Sequence, residues 1–178
     1  MRLFAEEKRL GTMEVLLTRP LSVFQIVFAK YLAGLLLVSI SLLPTLIYFY
    51  SIYALGNPIG CIDTGGTWGA FIGLFFLAAI YVAIGVFASS LTDNQIVSFI
   101  LAMALSFVFY LGLDFIASSG VPYFLEKILL WFSINNHYLS ISRGVVDLRD
   151  MVYFTGMALF FLYITGILLR KGNLKLRR

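Results

Sequence analysis

The residues able to do chemistry are few and scattered. One histidine, His137, and one cysteine, Cys61, serve the whole 178-residue chain. A single histidine cannot supply a multi-histidine metal site, and a single cysteine forms neither an internal disulfide nor a thiolate cluster. No G-x-x-x-x-G-K-[S/T] phosphate loop, H-E-x-x-H or G-x-S-x-G occurs in the sequence, so nucleotide binding by that loop, zinc hydrolysis and elbow-type serine hydrolysis have no residues to use. Asp114 closes an apolar run and reads as a boundary residue. A membrane aspartyl protease needs a second carboxylate at depth, and the other apolar runs contain none. His137 reads first as a polar interfacial residue, with a proton relay as the alternative.

The remaining candidates lie in the first twenty residues. Glu6, Glu7, Lys8 and Arg9 form a dense charged cluster, Gly11 interrupts it, and Thr12 can cap a second helix. Met13, Val15, Leu16 and Leu17 are apolar, with Glu14 among them, and Thr18-Arg19-Pro20 closes the segment. The pattern predicts a helix into Gly11, a turn, and a short amphipathic helix. Such a helix suits docking into a groove on another protein, or lying on a membrane surface. Residue types alone leave both open.

The elements that must position these residues are membrane spans. The chain is 61% hydrophobic and 12% charged, against about half and about a quarter for a soluble domain. Four uncharged runs are each long enough to cross a bilayer, which takes about 20 apolar residues. The expected organisation is a cytoplasmic segment 1–20, a transmembrane domain 21–170 with helices over 22–54, 67–90, 95–116 and 150–170, and a basic tail 171–178. The expected fold is all-α, because the runs lack the alternation a membrane barrel needs. Ser22 with Gln25, and Thr92 with Gln95, have capping-box spacing. Pro44 falls inside the first span, as tolerated packing or as a hinge. Gly69-x-x-x-Gly73 is a close-packing motif or ordinary glycine use. Residues 119–147, with Trp131, His137, Tyr138, Ser142 and Arg143, are too polar to cross and read as a re-entrant or interfacial segment.

Charge sets the orientation. Four spans put both ends on one side, which then holds ten of the thirteen Lys and Arg residues; Lys127, Arg143 and Arg149 lie on the other. The positive-inside rule places both termini in the cytoplasm. The pI near 9.3 is a topology signal in this setting and not a nucleic-acid footprint; no nucleic-acid partner is expected.

The stretch E-E-K-R-L-G-T-M-E-V-L-L-T-R-P-L-S at 6–22, followed by Ile26, Lys30 and Leu32-Ala33, resembles the cytoplasmic coupling region of ABC-2-type transporter permeases. Residues 56–66, 88–97 and 137–150 resemble the branch known as the gliding-motility-associated permease subunit. The resemblance implies a permease subunit for ATP-driven export in a bacterial cytoplasmic (inner) membrane. It also implies a second permease chain, as homo- or heterodimer, and a separate ABC ATPase at the cytoplasmic face. The chain would bind no cofactor directly, ATP acting through that partner, and would be no enzyme itself. The coupling residues would be Glu6, Glu7, Lys8, Arg9, Gly11, Thr12, Glu14, Leu16 and Thr18, and 119–147 would form the outer re-entrant helices. Such permeases usually have six spans with two before the coupling region, so this chain is expected to be their C-terminal two-thirds. An accessory scaffold without flux, or a membrane-embedded enzyme using Asp114, His137 or Arg143, are the alternatives.

Overall fold

In a computed structural model the protein is helical throughout the residues described, which are 2–12, 21–56, 63–144 and 147–176. Helix α1 (Arg2–Arg9) precedes α2 (Val23–Leu55) and α3 (Thr64–Leu91). Helix α4 (Gln95–Phe107) passes through a π-helical turn, Val108–Gly112, into α5 (Leu113–Ser118). Two short helices follow, α6 (Tyr123–Phe132) and α7 (Ile134–Ser142), and α8 (Leu148–Leu176) closes the chain. Four helical stretches are long and apolar enough to cross a bilayer: Val23–Leu55, Thr64–Leu91, Gln95–Ser118 and Leu148–Lys171. The protein is an all-α integral membrane protein.

Side-chain caps set the helix starts. The Ser22 box forms in full: the Gln25 N–H donates to Ser22 Oγ (3.3 Å) and the Ser22 N–H to Gln25 Oε1 (2.9 Å). The expected Thr92–Gln95 box does not form. Asn94 caps α4 instead, accepting from the Ile96 N–H at 2.9 Å, while Thr92 Oγ1 accepts from the Asn94 N–H. Asparagine is at least as good a cap as threonine, and here it lies next to the helix. The second span starts at Thr64, ahead of the expected residue 67, because Asp63 caps it through the Gly66 N–H (2.9 Å). The third runs past 116 to Ser118 and contains a π turn, in which the Leu113 N–H reaches back five residues to the Val108 carbonyl. The fourth starts at Leu148, after Asp147 accepts the Arg149 N–H. It also runs on through Leu176, so most of the expected tail is helix.

Packing sorts the spans into two classes. About 39% of the spanning window of α3 and 50% of that of α8 are buried, against 17% for α2 and 11% for the third span. Helices α3 and α8 are therefore the inner pair, and α2 and α4 flank them. Ile80 and Ile84 of α3 meet Phe154 and Phe161 of α8 in the core. The Phe161 ring lies 5.6 Å from both Phe87 and Phe109. Small residues let α3 sit inside: Gly69, Gly73, Ala79, Ala83 and Gly85 are all buried, as close helix approach in lipid requires. Helix α2 continues through Pro44. Its 33 residues make about 50 Å of helix, longer than the hydrocarbon slab of about 30 Å.

Several serines and threonines along the spans bond their own helices. Ser39 donates to Leu35 O, Ser51 to Ile47 O and Thr165 to Phe161 O. Hydroxyls so occupied are satisfied without becoming a polar path through the slab.

Candidate functional site

Two polar assemblies stand at opposite ends of the spans. The first is built on α1. A helix leaves its first amides without intrahelical acceptors, and in α1 two of these belong to Phe4 and Ala5, both fully buried. Ser89, at the far end of α3, takes both: its Oγ accepts from the Phe4 N–H (2.8 Å) and the Ala5 N–H (3.0 Å). A residue 85 positions away thus caps α1. At the other end of α1, Lys8 Nζ donates to the Ser90 carbonyl and lies 3.9 Å from Asp93. A cation there serves the C-termini of both α1 and α3. The third attachment is to α2: Lys30 Nζ contacts Glu7 Oε1 at 2.5 Å and sits 4.6 Å above the Phe4 ring, combining an ion pair with a cation–π contact.

Helix α1 is therefore fastened to α2 through Lys30 and to the α3–α4 corner through Ser89, Ser90 and Asp93. Of the candidate coupling residues, Glu7 and Lys8 face these attachments. Glu6 is half-buried and lines, with Glu7 and Lys30, the mouth of a cleft of about 920 Å³ between α2 and α3. Arg9, Leu10, Gly11 and Thr12 are exposed, and Leu10 is the apolar one among them. Gly11 has φ +70°, the left-handed region natural to glycine, and its N–H donates to Lys8 O at 3.2 Å as the chain leaves the helix. Thr12 Oγ1 donates back to Glu7 O at 3.3 Å. Glu14, Leu16 and Thr18 lie outside the described residues.

The second assembly is built on α7. His137 is buried within the protein, 5% exposed. Nδ1 lies 2.7 Å from Asp150 Oδ1 and Nε2 lies 3.1 Å from the Trp131 carbonyl. A carbonyl only accepts, so Nε2 is the donor to Trp131 and Nδ1 is left to face Asp150. The Tyr153 ring stacks on the imidazole at 3.9 Å and its hydroxyl donates to Phe132 O at 2.6 Å. Histidine and tyrosine thereby bind the end of α6 and the length of α7 onto α8. Asp114, half-buried, accepts from Asn135 Nδ2 at 2.8 Å and ties the third span to the same helix pair.

The other candidates of this segment have structural contacts. Gly69 and Gly73 dock α7 on α3: a Cβ on Gly69 would stand 2.6 Å from the Gly144 Cα, and one on Gly73 3.0 Å from Ile141 Cγ2. Gly144 itself has φ +86°. Tyr138 packs beside Gly73, and burial, then the neighbouring Tyr110 phenol, pushes its phenol above the ordinary value. Ser142 Oγ donates to Leu139 O (3.1 Å), and Arg143 is exposed at the end of α7. Among the described residues no group of three or more His, Cys, Asp or Glu could hold a metal ion.

Sequence reasoning passed over Ser89, Ser90 and Asp150. The first two stood inside the family-like stretch 88–97 without a role, and their signal was a serine pair at the C-terminal end of an otherwise apolar span. The profile of the ABC-2 family transporter proteins matches residues 1–169. The chain belongs to this family. No curated protein and no solved structure matches it. An ABC-2 family chain is the membrane part of a transporter, in keeping with the four apolar spans.

Proposed function

We propose that this ABC-2 family protein is a permease subunit of an ATP-driven exporter. Its segment 1–20 couples a separate ABC ATPase to the spans, and it works beside a second permease chain in a bacterial cytoplasmic membrane with both termini inside. The observation that carries this reading is the three-way fastening of α1. A rigid helix held by Lys30 on α2 and by Ser89 and Ser90 on α3 transmits a push at its exposed end to two spans together. The exposed end, Arg9 to Thr12, adjoins Glu14, Leu16 and Thr18 in sequence, where the ATPase would bear. ATP chemistry belongs to that partner; this chain supplies the lever and the path. The assignment of the 137–150 stretch to a gliding-motility branch rests on resemblance, and loss of gliding on deletion of the gene checks it.

The decisive experiment is co-purification with a candidate ABC ATPase subunit from the same genome. Leu10→Asp, Gly11→Pro and Glu14→Ala are compared with the parent. Proline cannot adopt the positive φ of Gly11. Reduced ATPase recovery with intact folding is expected for each. Parent-like recovery for all three removes the coupling assignment.

A further inference from the structure

A groove of about 940 Å³ runs along α8 at the end of the spans opposite α1. Its floor is Val152, Gly156 and Phe160, one stripe of α8 at four-residue spacing, and Phe109 and Trp131 wall it. Arg149 stands at its mouth. From Arg149 to Phe160 is about 16 Å of helix, about half the 30 Å hydrocarbon thickness of a bilayer. The groove is thus charged at one end and apolar over the depth of one leaflet. A neighbouring groove of about 570 Å³ shares Trp131 and Arg149 and adds Lys127.

At the mouth two cations, Arg149 and Lys127, stand against one carboxylate, Asp147, which lines the larger groove and accepts the Arg149 backbone N–H, so the balance favours an anion; Asp150 is occupied by His137. Glu126 lines neither groove. Arg149 and Lys127 are exposed, and among the described residues no carboxylate pairs with either side chain. Gly156 keeps the floor open: a Cβ there would meet nothing within 4 Å.

We propose that this groove is a binding site for one anionic phospholipid, its phosphate held by Arg149 and Lys127 and an acyl chain laid along Val152, Gly156 and Phe160. The site stands on the span assignment and not on the coupling reading. Trp131 reports on it. In a Trp68→Phe background, Trp131 is the remaining tryptophan of the two in the chain. Its quenching is measured in phosphatidylcholine vesicles titrated with brominated phosphatidylglycerol, and in the reverse mixture with brominated phosphatidylcholine. The parent should select the anionic lipid. Lys127→Gln and Arg149→Gln should each weaken that selection about fivefold, the worth of one cation at an anionic surface. Gly156→Leu, whose Cβ would meet nothing within 4 Å, should fill the floor and abolish it while leaving the melting temperature near the parent's. Equal quenching by both lipids overturns the proposal, as does parent-like selection in Gly156→Leu or in the double glutamine variant. Absence of quenching by either lipid also overturns it, since the groove is then covered by protein, such as a second copy of this chain.

Discussion

Replacing Ser89 by alanine removes one oxygen and little volume, so its effect isolates the remote cap of α1. Two amides, of Phe4 and Ala5, lose their acceptor, and both residues are fully buried. A buried donor without a partner costs about 1–3 kcal/mol, and loss of a helix cap about 1 kcal/mol. The docked helix can relieve part of this by lifting toward water, so about 2 kcal/mol is a fair value for the docking equilibrium. That is about a 30-fold rise in the undocked fraction of α1. The other two attachments, Lys30–Glu7 and Lys8–Ser90, remain, so the helix loosens without leaving. Hydrogen exchange of a peptide spanning residues 2–10 should speed up by this factor, while peptides from the interior of α3 exchange as in the parent. Ser89→Thr keeps the oxygen and should restore most of the protection. If Ser89→Ala exchanges like the parent over residues 2–10, the remote cap does not hold α1, and the lever loses its attachment to α3.

Other expectations concern the opposite end of the molecule. His137→Ala leaves the Asp150 carboxylate buried without its partner, which should cost about 3–5 kcal/mol, whereas removing both in His137→Leu/Asp150→Leu should cost less than His137→Ala alone; detergent melts of the single and double variants measure the difference. Gly69→Ala should destabilise by about 1–3 kcal/mol, because its Cβ would meet the Gly144 backbone at 2.6 Å and backbone cannot yield cheaply. Gly156→Ala, with open space around it, should leave stability unchanged or raise it by about 0.5–1 kcal/mol. A melt in which the two glycine variants behave alike would refute this contrast. Lys30→Met should lower the melting temperature and speed exchange in α1, since Glu7 Oε1 then loses its cation while Oε2 has no partner among the described residues.

The spans were legible because lipid imposes a rule on composition: about twenty apolar residues without charge. Their ends were less legible. Asp63, Asn94 and Asp147 each offered a cap that composition alone does not rank, and the third span runs on past Asp114, where the uncharged run stops. The role of His137 was hidden for a different reason. Its partner is Asp150, thirteen residues on, and across a helix break no periodicity links the two. Ser89 was harder still, since a cap supplied from another helix leaves no local pattern beside α1. Gly69 and Gly73 were visible as a motif, but only the packing shows that they receive α7. Glu6–Arg9 read as a charged cluster; only the packing shows that Glu7 and Lys8 face the protein's own spans.

The capping of α1 by Ser89 also sets an order of events during biosynthesis. The two amides leave the ribosome 85 residues before the hydroxyl that receives them. At roughly 5–20 residues per second, translation separates them by about 4–17 s. Through that interval α1 has no seat, and Phe4 has no core to enter. Helix α1, though translated ahead of the four spans, can therefore be seated only after α3 is in place.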